Sequence, residues 1–433
     1  MTDLPFPRGV RDLLPNEAIF KNELLKKIES VFQRFGFTTI STPAIESLKI
    51  LKAKGAIGEE SKLIYELKEE ELGLRYEHTV SLARYFIMHS ALPLPFKRYV
   101  IGEVWRMDEP QRGRYREITQ ADIDIIGGDR PRGDAEVIAS ICAVFDELGL
   151  GYVVRLNNRE LVDMILKRSG MGDEKSMQVM RIVDKLDKLG INEVTKLLKE
   201  IGLSKETMGV LTSFISQKGT NDDKLRYADG LVPSKEPIEE IRRLVELLKQ
   251  YGIKESSVAI DFSLMRGLDY YTGCVCEFLA SDTKVGRLSI GGGGRYDNLI
   301  ALYGGQKLPA FGVSIGVDRL LDVLNFSSSA KRTYSKVFVA VINDKNYPYA
   351  LSVARKLREA GIETDVNISS RNISNQLSYA NSLKIPYTVI VGDSEEKLKL
   401  IKLRDMVSGE ETAISVNELI GMLGTEHSTK RQR

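Results

Sequence analysis

The chain has 433 residues, 42% hydrophobic and 28% charged, with a formal net charge of +2. That length exceeds one ordinary core and predicts two or three domains. No run approaches the roughly 18 apolar residues of a membrane span, and the opening MTDLPFPRGV lacks the apolar core of a leader. Three cysteines and three histidines point to a reducing cytoplasm and away from a Cys/His zinc site. The near-neutral balance leaves any anionic partner to local patches.

After a Pro/Gly-punctuated lead-in carrying Arg8, Arg11 and Asp12, residues 16–36 place Ile19, Leu24, Ile28, Val31 and Phe32 at helical spacing, with Gly36 as the stop. A strand over 37–40 ends before Pro43. Strand signals at 63–67, 74–76 and 96–101 surround a helix over 79–89. Residues 104–128, VWRMDEPQRGRYREITQADIDIIGG, read as a hairpin rich in arginine: Arg112, Arg114 and Arg116 share one side, with Arg106 on the facing strand. Past the turn, Gln120, Asp122 and Asp124 alternate with Ala121, Ile123 and Ile125, so one face is apolar and the other offers an amide and two carboxylates. A solvated edge accounts for this pattern; a site for an anion beside a site for an amine accounts for it better.

A helix over 134–148 and a strand over 152–156 lead into residues 160–250, charged and helical in period, whose charges read most simply as a solvated face. Residues 264–277, LMRGLDYYTGCVCE, crowd Arg266, Asp269, Tyr270 and Tyr271 at the start of an apolar run. These groups enter an interior only with partners, so they satisfy one another or a polar ligand satisfies them. Strand alternation sends Tyr271 and Glu277 to one face and Tyr270 to the other. A buried Arg–Asp pair bracing a sheet fits the same residues. LSIGGGGRYDNL then brings four glycines after a strand, where something approaches the backbone or the chain turns; the spacing is not a dinucleotide fingerprint. GVSIGVDRLLDVL reads as a strand feeding a helix that carries Arg319. NFSSSAKRTY has linker composition, and the remainder alternates strands and helices as a small α/β domain with a largely parallel sheet.

Taken together, RGLDYYTG at 266–273, GGGRYDNL at 292–299, RGVRDLLP at 8–15 and RYEHT at 75–79 resemble the signatures of the histidyl-tRNA synthetase family, class II aminoacyl-tRNA synthetases. The resemblance spans the chain apart from the helical stretch. Motif 1 of the class resembles the first helix and strand, which in the family form much of a dimer interface; motif 2 resembles the hairpin and motif 3 residues 311–321. The implied fold is an α+β catalytic domain on an antiparallel sheet flanked by helices (1–325), with an all-helical insertion (160–250), a linker (326–335), a C-terminal α/β anticodon-binding domain (336–425) and a basic tail (426–433). The implied activity is ATP-dependent activation of L-histidine and its transfer to tRNA(His), by a cytoplasmic homodimer using ATP with Mg2+, without zinc or a tightly bound cofactor and without membrane or DNA partners. The alternative is a synthetase-like, histidine-binding regulatory subunit of histidine biosynthesis.

The resemblance also implies residue roles. Arg266 and Arg106 are catalytic. Arg106, Asp108, Arg114 and Arg319 bind ATP. Glu77, Thr79, Gln120, Asp124, Tyr271 and Tyr296 bind histidine, with Asp124 and Tyr271 at the two imidazole nitrogens, and Arg112 and Arg116 meet the tRNA acceptor end. No protein side chain is assigned to a metal. The chain departs from the family pattern at Ile118, where a Phe usually lies under adenine, and at Asp108 and Asp318, where Glu is common.

Overall fold

The structure is a computed structural model that describes residues 6–53, 56–68, 70–111, 113–266, 268–281, 288–324 and 331–430. Its compact units are Met1–Arg11 with Leu24–Asn325, and Asp12–Glu23 with Phe326–Arg433. The chain opens with α1 (Pro15–Arg34), β1 (Thr38–Thr39), β2 (Ile45–Ser47), α2 (Leu48–Leu51), a 3-10 turn (Gly58–Leu63), β3 (Leu72–Leu74) and α3 (Thr79–Met88). β4 (Phe96–Trp105), β5 (Glu117–Ile126), α4 (Arg132–Glu147) and β6 (Tyr152–Asn158) follow. Next come six helices: α5 (Arg159–Arg168), α6 (Asp173–Val183), α7 (Leu186–Glu200), α8 (Lys205–Ile215), α9 (Asn221–Asp229) and α10 (Glu236–Gln250). β7 (Val258–Ile260), β8 (Cys274–Ala280), β9 (Leu288–Arg295), α11 (Leu299–Leu302), β10 (Ala310–Gly316) and α12 (Val317–Val323) complete this part.

Eight strands form one sheet in the order β1-β4-β5-β10-β9-β8-β6-β7. The sequence predicts an antiparallel sheet, and the six central strands are antiparallel, but β1 joins β4 and β7 joins β6 in parallel. Parallel neighbours need a crossover; the path through α2 and α3 supplies one and α5–α10 the other. One face is covered by α1, α4 and α10 over a core that includes Ile28, Phe32, Ile138, Phe145 and Phe278. Against the other pack Tyr76, Phe86, Tyr270, Tyr271 and Tyr296. α5–α10 keep a separate core around Leu166, Leu211 and Phe214. The predicted strand at 63–67 is reduced to a bridge between Glu66 and Gly73, because residues 58–63 wind as a 3-10 turn.

In the second unit β11 (Val337–Val341), α13 (Tyr347–Glu359), β12 (Thr364–Val366), α14 (Ile373–Ser382), β13 (Tyr387–Val391), α15 (Asp393–Leu398), β14 (Ile401–Asp405), β15 (Glu411–Ile414) and α16 (Val416–Lys430) follow in order. Its sheet, β12-β11-β13-β14-β15, is parallel through β13 and antiparallel beyond, so it is mixed rather than largely parallel. The short β14–β15 turn can join only antiparallel strands.

Candidate active site

A cavity of about 370 Å3 lies on the open face of the large sheet, above β5, β9 and β10. β5 supplies its deepest side chains. Its alternation directs Ala121, Ile123 and Ile125 into the core under α1 and α4 and turns Gln120, Asp122 and Asp124 toward the cavity. Side chains are missing where these groups need room. A Cβ on Gly312 would overlap the Asp124 carboxylate, and one on Gly292 would lie 2.6 Å from Arg266 Cζ. The glycine run of β9 is therefore a flat floor on which Arg266 lies.

The innermost wall is a buried polar network in which Gln120 Oε1, Asp122 Oδ1 and the Arg98 nitrogens have no hydrogen-bond partner. Asp124, 1% exposed, lies with Oδ2 2.5 Å from Nη2 of the fully buried Arg98, an ion-pair contact without hydrogen-bond alignment. Its other oxygen accepts from Tyr296 Oη. Burial raises the Asp124 pKa, and Arg98 and Tyr296 oppose that rise. Glu77 accepts from the Val80 amide (2.6 Å), which caps α3, and from Tyr270 Oη (3.0 Å). Gln120 donates to Ser314 Oγ at 2.7 Å. Asp122 is pushed up to about 7 by burial, with the neighbouring carboxylates adding to that and Arg98 and Ser314 opposing it. His78 is pushed down to about 3 by burial and by Arg98 and Arg75, so it is neutral at pH 7.

The rim is cationic. Arg106 donates to the Tyr76 carbonyl (3.1 Å), with its guanidinium 4.3 Å from the Tyr76 ring centroid. Arg319 donates to the Ser289 carbonyl at 3.1 Å. Among the described residues neither has a carboxylate ion-pair partner. Arg114 is paired with Asp108 at 2.7 Å, and Arg266 has Glu277 at 3.6 Å. Burial, then Arg114, Arg266 and Arg106, lower the Arg319 pKa. A guanidinium crowded by three others at the mouth of a cleft is arranged to meet an anion.

All the residues expected to meet histidine (Glu77, Thr79, Gln120, Asp124, Tyr271 and Tyr296) line this cavity, as do Arg106, Asp108, Arg114, Arg266 and Arg319. Arg116 does not: its Nε donates to the Asp108 carbonyl at 3.0 Å. Arg112 lies outside the described residues. β4 and β5 pair as the expected antiparallel hairpin, and of the residues joining them 106–111 and 113–116 lie outside the strands, with one bridge between Gln111 and Arg114. Ile118 and Asp318 both line the cavity, and the Asp318 carboxylate accepts from Arg11 (2.9 Å) and the Thr119 amide (2.7 Å).

Around Arg266 the strand reading needs correction. Arg266 has φ 60, a left-handed conformation rare outside glycine, and β8 begins only at Cys274. Without strand alternation, Tyr270 and Tyr271 both line the cavity, with ring centroids 4.8 Å apart and edge-to-face. In the second signature Gly292 and Tyr296 line it. Arg295 is buried against Asp134 and Asp297, with its Nη1 3.0 Å from Asp297 Oδ1.

A family model described as histidyl-tRNA synthetase matches residues 9–320, and one described as an anticodon binding domain matches 336–426. The chain belongs to the histidyl-tRNA synthetase family. Among similar proteins in this family, the histidine–tRNA ligase of Aeropyrum pernix is 37% identical over 423 residues, 96% of each chain. That of Korarchaeum cryptofilum is 38% identical over 432 residues, covering 96% of this chain and 97% of its own. The crystal structure of histidyl-tRNA synthetase from Nostoc sp. PCC 7120 superposes with a TM-score of 0.84 at 29% identity, over 98% of this chain and 100% of that one. The class II synthetase fold with a separate C-terminal anticodon-binding domain follows.

Three residues at or behind this cavity carry no signal in the sequence motifs. Arg98 is recognisable only once β4 and β5 are in register, which sets it opposite Asp124. Asp184 and Lys188, at the α6–α7 junction, line the cavity from the helical region; charge periodicity alone assigns them to solvent.

Proposed function

We propose that the protein activates L-histidine with ATP to histidyl-adenylate and transfers histidine to tRNA(His). The observation that carries this reading is one cavity with a carboxylate–phenol wall at its base and four arginines at its rim. In the first step a histidine carboxylate oxygen attacks the α-phosphorus and pyrophosphate leaves; in the second a terminal hydroxyl of the tRNA attacks the acyl carbon and AMP leaves. Negative charge grows at the α-phosphate oxygens, where Arg106 and Arg266 are placed, while Arg114 and Arg319 hold the triphosphate tail and flank the adenine with Ile118. Guanidinium groups fixed beforehand stabilise that charge without reorganising.

Histidine's α-amino group is assigned to Glu77, Thr79 and Gln120, and its imidazole to Asp124 and Tyr271, with Tyr296 beside them. Imidazole offers one donor and one acceptor, so a wall built for both leaves its own groups unpaired when an analogue enters. Asp108 serves ATP indirectly through Arg114. Magnesium enters with the nucleotide; among the described residues no group of three or more His, Cys, Asp or Glu side chains converges as a metal site, so no protein ligand is assigned to it. Burial pushes the Cys276 thiol up to about 12, which makes it no nucleophile.

In this reading residues 1–325 are catalytic, 160–250 are an insertion, 326–335 a linker and 336–425 the anticodon-binding domain, followed by a basic tail at 426–433. Arg112 and Arg116 meet the tRNA acceptor end, and the first helix and strand join two copies as a cytoplasmic homodimer. Among the described residues no helix is long and apolar enough to cross a membrane. The regulatory-subunit alternative has less support, because the anion-binding arginines and the C-terminal domain are both present. Histidine-dependent exchange of pyrophosphate into ATP tests the first step, and charging of a tRNA(His) transcript the second. Histidine binding without exchange is the result that returns the regulatory reading.

A further inference from the structure

Residues 268–271, which follow Arg266 in the chain, are held from outside the sheet. α5 contributes Arg159, 4% exposed, whose Nη1 donates to the Leu268 carbonyl at 2.9 Å. α6 contributes Arg181, whose Nε and Nη2 reach the two Asp269 oxygens at 3.1 and 2.5 Å, a two-point fork. The third nitrogen of Arg181, Nη1, donates to Glu59 Oε1 at 3.1 Å, in the 3-10 turn. Asp269 in turn seats on Gly58, which has φ +63 and where a Cβ would overlap the carboxylate. At the other end of the loop, Glu277 lies between Arg266 (3.6 Å) and Arg155 (2.9 Å), and Arg155 pairs with Asp187 of α7 (2.7 Å). These contacts border a second cavity of about 940 Å3 that adjoins the first and shares Asp184, Lys188, Arg266 and Arg319 with it.

We propose that Arg181 is a positioning residue for amino-acid activation: through Asp269 it locks the loop that presents Arg266, Tyr270 and Tyr271, so that the helical region completes the site. The left-handed backbone at Arg266 makes a lock necessary. A non-glycine residue in that region persists only where its surroundings over-determine it. Asp269 carries no assigned contact with substrate, and its side chain is 11% exposed. Its charge is therefore held for Arg181, and losing the partner leaves it unpaired beside the turn.

The proposal rests on histidine activation as the reaction, and its test separates the two. In the full-length protein, Arg181→Met is expected to lower kcat/KM for histidine in pyrophosphate exchange by about 10- to 100-fold through a misplaced loop. KM for ATP, set largely by arginines outside the loop, stays within about threefold of the original. Asp269→Asn gives the same phenotype, and the double variant is no worse than either single one, because both break one lock. Arg181→Lys recovers part of the loss, and Lys167→Met, which removes the ion pairs of a half-exposed lysine on α5 with Asp163 and Asp173, changes nothing. Independently of any activity, amide hydrogen exchange over residues 268–273 accelerates in Arg181→Met. Unchanged exchange protection with kcat/KM within threefold overturns the proposal, as does additive loss in the double variant. Equal loss for histidine and ATP with a lowered Tm also overturns it, by making Arg181 a general stability residue. If the original protein supports no histidine-dependent exchange, the functional reading fails, and the hydrogen-exchange arm still decides the lock.

Discussion

The two halves of the cavity solve the problem of buried charge in opposite ways. At the base, Glu77, Asp124, Tyr270 and Tyr296 are already bonded to one another or to Arg98 and the α3 amide. At the rim, Arg106 and Arg319 donate to carbonyls and, among the described residues, have no carboxylate partner; burial and then neighbouring cations depress Arg319. The base is largely pre-arranged, with Gln120 Oε1 and Asp122 Oδ1 still unpartnered, which suits discrimination of an imidazole. The rim holds repulsion that an incoming polyphosphate relieves, which suits binding and transition-state stabilisation.

The largest effect that breaks this contrast is expected at the rim. Arg106→Ala is expected to reduce the exchange rate about 10³-fold while calorimetric histidine affinity changes little; comparable losses in both would merge the two halves. At the base, Tyr271→Phe is expected to weaken histidine binding about tenfold, the effect of leaving one imidazole nitrogen unpaired, with ATP binding unaltered. Arg319→Gln separates stability from function: relieved of repulsion, the ligand-free protein gains Tm on the order of 1 °C, while stabilisation by added pyrophosphate shrinks. A ligand-free Tm that falls would show that the rim stores no repulsion.

The smallest effect is in the pH profile. Asp122, near 3.8 when unfolded and about 7 when folded, keeps a proton in the native state that the unfolded chain has lost, so its contribution to stability falls as pH rises from 3.8 through about 7. His78, pushed down to about 3, acts oppositely: its contribution rises between about 3 and its unfolded value of 6.5. Asp122→Asn is therefore expected to leave a Tm that climbs more steeply over that window, measured by thermal melts at fixed ionic strength. An unchanged profile would remove Asp122 from the buried balance.

Much of the base was legible because β5 is a regular strand: alternation alone puts Gln120 and Asp124 on the cavity side. The glycine run was legible as a close approach, and Arg266 now accounts for it at Gly292. Fold class was legible from the signatures, while the parallel edges β1 and β7 depend on crossovers whose path no local pattern encodes. Tyr270 was misassigned because alternation presumes a strand, and the left-handed turn at Arg266 breaks it. The Arg181–Asp269 fork joins residues 88 apart in the chain, and charge periodicity reads Arg181 as solvated. Partners that come from tertiary packing, not from local period, are the ones a sequence hides.

The most direct measurement pairs single-turnover histidyl-adenylate formation with calorimetric histidine binding in Arg266→Ala. The adenylation rate is expected to drop by about 10²- to 10³-fold, with histidine Kd rising far less, because the charge Arg266 meets develops at the α-phosphate. Equal losses in rate and affinity would instead make Arg266 part of the structural ion-pair chain through Glu277, and the rim would lose its central residue.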